Sequence, residues 1–321
     1  MKTKLLLLVC LVSGMSSQTV TLLAQGSLTP PGGAPAPTMR SLDQIDAKLE
    51  KRTPISSAPY TISQPGSYYL TGNVTATTGD AITVASNGVT IDLNGFTISS
   101  TSATASGTAI LLGNNIHDVT IRNGHIVSGT TVNGSNFSNG PGFVHGIRYT
   151  TNSVYNVLIS DVTVSGCNSS GIDLAFGQTV VESCTVSVAG GYGITASTIR
   201  NCTAANIGLT AIYSNTVSGS SGSQVGPTNY YGVFGQSVIN CYGISSAGFG
   251  IYGYSVLNSY GQTSTGTYGI LGETIVGFCY GSAGGSGHGI GVINLAYACL
   301  GFPNIVAGHQ YFCGSGPNPY P

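Results

Sequence analysis

Gly250-Ile251-Tyr252-Gly253-Tyr254-Ser255-Val256-Leu257-Asn258-Ser259-Tyr260-Gly261 is one copy of a unit that fills the second half of the chain. Its Gly-aliphatic start recurs at Gly146-Ile147, Gly171-Ile172, Gly193-Ile194, Ala211-Ile212, Gly232-Val233, Gly269-Ile270 and Gly289-Ile290, at steps of 18 to 25 residues. Six residues after the Gly (or Ala) stands another aliphatic: Ile199, Val217, Val238, Val256, Ile275 and Leu295. Three or four residues further comes a small residue: Cys202, Ser220, Cys241, Ser259, Cys279 and Cys299. A period near 20 residues, with short β-type segments between Gly turns, is the pattern of a solenoid in which each repeat buries its apolar face against its neighbours.

Upstream, alternation of period two marks further strands at Tyr68-Tyr69-Leu70, Ala81 to Val84 and Val89 to Leu93. Val119-Thr120-Ile121-Arg122 repeats Val89-Thr90-Ile91-Asp92, and Val157-Leu158-Ile159 begins a third copy. Two Gly/Ser/Asn-rich excursions, Ser128 to Phe143 and Ser218 to Tyr230, read as protruding loops.

The N-terminus differs in kind. Lys2 and Lys4 precede a short apolar run, Leu5 to Val12, and small or polar residues up to Ala24. This is the arrangement of a secretory signal, and the run is too short to span a membrane. The expected organisation is a signal peptide over 1–24, a Pro-rich linker and amphipathic helix over 25–58, a β-helix over 59–310 and a tail over 311–321. Met39, Leu42, Ile45 and Leu49 share one face of the helix expected from Thr38 to Arg52, which Thr38 caps and Pro54 stops. That helix covers the open end of the solenoid or, alternatively, associates with a second chain through 38–52.

Composition narrows the function. Only 6% of the 321 residues are charged, 41% are hydrophobic and the net charge is −1. That balance excludes disorder and offers no electrostatic footprint for nucleic acid. Six of nine basic residues lie before residue 53, leaving Arg122, Arg148 and Arg200 and no Lys in the body. Five cysteines (184, 202, 241, 279 and 299) fall in one column of the repeat. Stacked side chains point in parallel, which suits disulfide geometry poorly, so buried free thiols are expected. No CxxC pair occurs, and no metal or cofactor is expected.

Taken with Val89-Thr90-Ile91-Asp92-Leu93-Asn94-Gly95, Val119 to Gly124, Ile199-Arg200-Asn201-Cys202, Val238-Ile239-Asn240-Cys241 and Val256-Leu257-Asn258-Ser259, the Gly-Ile units resemble the right-handed parallel β-helix proteins of the pectin-lyase-like superfold. The resemblance covers about residues 60–310. It implies an all-β, single-stranded solenoid of roughly eleven or twelve rungs, about 55 Å long at about 4.8 Å per rung. It does not select an activity, because that superfold hosts lyases, hydrolases, epimerases and phage tailspikes. The order of signal, linker, helix and β-helix also resembles uncharacterised secreted bacterial proteins.

Three sets of residues could carry chemistry. Gly287-His288-Gly289 is similar to the Gly-His-Gly motif of polygalacturonases, but the Asn-Thr-Asp, Asp-Asp and Arg-Ile-Lys segments of those enzymes are missing. His288 also fills the position before the Gly that Tyr192, Tyr231, Phe249 and Tyr268 fill elsewhere, which makes it one more occupant of an aromatic column. Pectate lyases use an acid cluster for calcium and an Arg base. Here alignment of adjacent rungs puts Asp92 opposite Arg122, Asp173 opposite Arg148 and Glu182 opposite Arg200, as ladder pairs. Asp161, Asp173 and His288 remain the only candidate catalytic residues. The third set is aromatic: Tyr242, Tyr260 and Tyr280, each followed by Gly, form a column expected to face solvent and to bind sugar rings. Asn201, Asn240 and Asn258 read as an internal ladder that satisfies turn backbone groups. The expected function is therefore a secreted or cell-surface, non-catalytic protein that binds extracellular polysaccharide or builds surface structure. A lyase or hydrolase acting on acidic glycans is the alternative.

Overall fold

The computed structural model describes residues 51–149, 154–174 and 176–315. The signal segment and almost all of the helix expected from Thr38 to Arg52 lie outside them. The described residues contain strands and no α-helix. Twenty-eight strands belong to one sheet whose pairings are all parallel, and it winds around an axis as a parallel β-helix. Each turn of the chain contributes to three faces.

The first face begins at Tyr60–Ile62 and runs through Ile82–Val84, Thr108–Leu112 and His145–Tyr149 to Ile305–Tyr311, twelve strands in all. Its register stacks Ile82, Ile110, Ile147, Ile172, Ile194, Ile212, Val233, Ile251, Ile270 and Ile290 in one inward column. All ten are fully buried. The second face stacks Ile91, Ile121, Ile159, Val181, Ile199, Val217, Val238, Val256, Val276 and Ala296. Burying each Ile or Val side chain contributes roughly 1.5–3 kcal/mol, which is why these columns hold the register. The repeat spacing had placed Ile275 and Leu295 in the second column. The structure puts Val276 and Ala296 there, because a register shift opposite Gly253 to Ser255 inserts one residue. The extra residue of this β-bulge shifts by one the positions that face the core beyond it, so Val276 and not Ile275 pairs with Val256.

The third face tapers. Its inward column reads Ile98, Ile126, Val164, Val186, Ala204, Gly222, Gly243, Gly261, Gly281 and Gly301. A Cβ built on Gly261 would lie 2.3 Å from the Gly269 carbonyl oxygen and 2.4 Å from Ile270 Cγ1. The first and third faces therefore touch backbone to backbone in the later rungs. Ser221–Gln224 belongs to this face, so the expected loop from Ser218 to Tyr230 holds a four-residue strand. No apolar alternation marks it. Its one long inward side chain is Gln224, fully buried, whose amide donates to the Gly208 and Gly226 carbonyls at 3.2 and 2.8 Å. The other excursion contains a short hairpin, Val132–Asn133 with Asn136–Phe137.

One residue turns the chain from the second face to the third. Asn123, Asp161, Ser183, Asn201, Gly219, Asn240, Asn258, Phe278, Ala298 and Phe312 occupy that corner with φ between 47° and 61°. Asn, Asp and Gly tolerate this left-handed region best, which explains the Asn of the repeat. Asn201, Asn240 and Asn258 are consequently exposed at the corner and do not form an internal ladder. The residue that follows points inward and caps the turn. The Cys184, Cys202, Cys241, Cys279 and Cys299 thiols each donate to the carbonyl two residues back, at 3.1–3.2 Å. The hydroxyls of Ser220 and Ser259 do the same at 2.8 and 2.7 Å. The five thiols are free and buried, as their stacking in parallel led us to expect.

The solenoid extends past both expected limits. Thr53–Ile55 pairs with Tyr68–Leu70, and Ile55 is fully buried. Pro54 is tolerated there because this is an edge strand. At the other end Leu300–Phe302 pairs with Gly314–Ser315, so the corner at Phe312-Cys313 is one more copy of Phe278-Cys279 and not a tail.

Candidate functional site

Tyr242, Tyr260 and Tyr280 open the strands of the third face, directly after the Cys/Ser cap. Because the residues on either side, Cys241 and Gly243, point inward, the pleat turns each Tyr outward. Register aligns them between Ser221 and Leu300. The rings stack at 4.9 and 5.0 Å, inclined by 12° and 4°. They form one wall of an open groove of about 780 Å³ that crosses five rungs, from Gly219 to Leu300. At about 4.8 Å per rung that is about 19 Å of length. Asn240, Asn258 and Phe278 of the left-handed corner also line the groove, and no charged side chain does.

Parallel stacking covers most of each ring face with the next ring. Tyr242 differs: it is 42% exposed, and its neighbour on the far side is Ser221, which leaves that face without an aromatic cover. The groove thus offers one open ring face at one end, ring edges along its length, and phenol, amide and hydroxyl groups that donate and accept hydrogen bonds.

The acids and arginines pair as the rung alignment indicates. Arg122 and Arg52 both reach Asp92 Oδ2, at 3.2 and 3.3 Å. Asp92 Oδ1 accepts from the Asn94 backbone N–H at 2.8 Å and from Asn123 Nδ2 at 3.2 Å. Arg200 Nη2 lies 2.8 Å from Glu182 Oε2. Arg148 Nε lies 3.8 Å from Asp173 Oδ2, and its Nη1 is 2.7 Å from His145 Nε2. Burial raises the Asp173 carboxyl above its ordinary value, and Arg148 only partly offsets this. Burial, reinforced by Arg148, holds His145 down to about 4.

The three candidate catalytic residues are not brought together. Asp161 sits exposed at the left-handed corner between the second and third faces. Asp173 lies on the first face, and His288 lies on the same face six rungs further along, about 29 Å away at about 4.8 Å per rung. His288 Nδ1 is 2.7 Å from Asn304 Oδ1, and its ring packs 5.3 Å from Tyr268, as a member of the aromatic column.

That column is wider than its sequence pattern. Tyr231, Phe249 and Tyr268 follow one another at 5.5 and 6.0 Å. Beside them stands a second column, Tyr213, Phe234 and Tyr252, which fills the position after the Gly-aliphatic pair. The two interlock, with Tyr231 5.4 Å from both Phe234 and Tyr252. Ile212-Tyr213, Val233-Phe234 and Ile251-Tyr252 carry a readable signal, obscured because Asp173 and Thr195 hold the same position in earlier rungs. The Tyr252 hydroxyl donates to Glu273, and this bond, with burial, pushes the phenol up to about 12.

Among the described residues no three His, Cys, Asp or Glu side chains are grouped to hold a metal ion, and no helix is long and apolar enough to cross a membrane. Comparison with protein-family models gives no match to this sequence. Comparison with curated proteins gives none either, so the site is argued from its own residues.

Proposed function

We propose that this chain is a secreted, non-catalytic β-helix that binds a neutral polysaccharide along the Tyr242–Tyr260–Tyr280 groove. The observation that carries the reading is the groove itself: about 780 Å³, open, crossing five rungs, rich in aromatic side chains and free of charged ones. A linear glycan presents apolar ring faces and hydroxyls in turn, which suits a strip of aromatic edges, amides and hydroxyls. An acidic glycan would call for Lys or Arg, and the groove has neither. Export follows from the signal-like residues 1–24, and kinship with the right-handed, pectin-lyase-like solenoids is part of the same proposal. Cleavage is the weaker reading. Glycoside hydrolysis uses two carboxyl groups about 5–9.5 Å apart, whereas Asp161 lies at the corner between the second and third faces and Asp173 on the first face.

The test is a screen of the protein from residue 25 onward against neutral and acidic polysaccharides, with and without calcium, reading both retention and newly released ends. Retention on neutral glycans without released ends is expected. Release of ends would replace the binding reading with an enzymatic one. Retention on none of them would end it.

A further inference from the structure

We propose that the first face carries a second, independent site: an aromatic cage, formed by Tyr192, Tyr213, Tyr230, Tyr231 and Phe234, that holds a quaternary ammonium group. The five side chains and Thr210 line a half-open cavity of about 230 Å³. Tyr192 and Tyr213 lie near-parallel, at 23° and 6.2 Å, and the other ring contacts are inclined. Tyr192 meets Tyr230 at 84°, Tyr213 meets Phe234 at 63° and Tyr231 meets Phe234 at 46°. In an inclined pair one ring offers its face and the other its edge, so the faces of these rings look in several directions around the cavity. The face of an aromatic ring carries the negative part of its quadrupole, so a cavity walled by such faces favours a compact cation with an apolar surface.

The electrostatic surroundings agree. A neighbouring cavity of about 310 Å³ shares Tyr192 and Tyr213 and is lined also by Asp173, Phe176 and Thr195. No Lys or Arg lines either compartment. Asp173 is the one acid there, and its charge adds to burial in raising the Tyr192 phenol. Arg148, 3.8 Å from Asp173, offsets part of that charge, so the ring faces do most of the holding. Thr195 supplies an observation of a different kind. The residue is 6% exposed, and its hydroxyl Oγ1 has no hydrogen-bond partner among the described residues. A buried hydroxyl without a partner is costly, and a ligand with its own hydroxyl would satisfy it. A trimethylammonium group in the cage, with a short hydroxylated arm toward Thr195, has the shape and chemistry of choline.

Only four of the 18 Tyr line the cage, so binding is read by isothermal titration calorimetry and not by tyrosine emission. The full chain would be titrated with choline chloride, with tetramethylammonium chloride, and with 3,3-dimethylbutan-1-ol, the uncharged isostere of choline, at constant ionic strength. We expect saturable binding of both cations and at least about tenfold weaker binding of the isostere. Tyr230→Leu should weaken choline by about tenfold or more, Tyr230→Phe should restore it, and Tyr260→Leu, in the groove, should leave it unchanged. Equal affinity for the uncharged isostere would mean an apolar pocket and overturn the proposal. Absence of saturable binding, or indifference to Tyr230→Leu, would do the same. Co-sedimentation with phosphatidylcholine vesicles but not phosphatidylglycerol vesicles would place the group on a lipid surface. Choline binding without co-sedimentation would place it on a soluble or polymer-borne ligand.

Discussion

Replacing Gly261 by Ala tests the backbone contact between the first and third faces. The added methyl would lie 2.3 Å from the Gly269 carbonyl oxygen, 2.4 Å from Ile270 Cγ1 and 3.0 Å from the Gly269 carbonyl carbon. Two of these three atoms are backbone, locked into ladders on both sides, so the methyl cannot be accommodated by a side-chain rotation. Overpacking a tight core costs about 1–3 kcal/mol, and a backbone obstacle puts this site at about 3 kcal/mol or more. For a unit of this size that lowers Tm by roughly 6–12 °C. Gly72→Ala is the internal control, since nothing lies within 4 Å of its Cβ position and its φ is not in the left-handed range. Its cost should stay within about 0.5 kcal/mol. Thermal unfolding followed by far-ultraviolet circular dichroism compares the two. Equal Tm values would refute the claim that the later rungs close backbone to backbone.

Cys202→Ser should cost less than about 1 kcal/mol because a hydroxyl still caps the corner, whereas Cys202→Val loses both the bond to the Arg200 carbonyl and the acceptor for the Cys184 N–H, about 1–2 kcal/mol in urea denaturation. Asp92→Ala should cost about 2 kcal/mol, since it strips a partner from Arg52 and Arg122 and orphans the Asn94 N–H, and Asp92→Asn should recover about half of that. His145, held down to about 4 from 6.5, stays neutral in the folded chain while the unfolded chain protonates near 6.5. Its contribution is therefore intact above about pH 6.5 and is lost as pH falls toward 4. Taken in full the shift is worth ~3 kcal/mol, and solvent access to the half-exposed ring reduces that to about 1–2 kcal/mol. His145→Gln should flatten this part of the stability profile between pH 7 and 4, measured by denaturant midpoint.

The solenoid was legible because its first and second faces bury an Ile or Val each in most rungs, five residues apart from Ile194 and Ile199 to Ile251 and Val256, a signal that survives changes of loop length. The third face was harder to read. Once its inward column passes from Val186 through Ala204 to Gly222, no apolar alternation remains, and Ser221–Gln224 resembles a loop. The bulge opposite Gly253 to Ser255 shifted the expected core from Ile275 to Val276, because a one-residue insertion is invisible to a period that already varies. The Cys column was placed correctly, but its capping role depends on the left-handed residue before it. Phe278, Ala298 and Phe312 hide that residue's conformation, since their side chains do not favour it. Of the candidate site, the Tyr242–Tyr260–Tyr280 column was readable from Tyr-Gly recurrence alone. The cage was not, because it joins two columns with Tyr230 from a loop, and only the fold brings these together.

The most direct test of the groove is quantitative glycan retention by the wild-type chain and by Tyr242→Ala, Tyr260→Ala and Tyr280→Ala combined, with far-ultraviolet circular dichroism confirming the fold of both. Loss of about 1–3 kcal/mol of binding, roughly a five- to 150-fold weaker retention on neutral polysaccharide, is the predicted outcome. Unchanged retention by the folded triple variant would contradict the account and move the binding surface elsewhere on the solenoid.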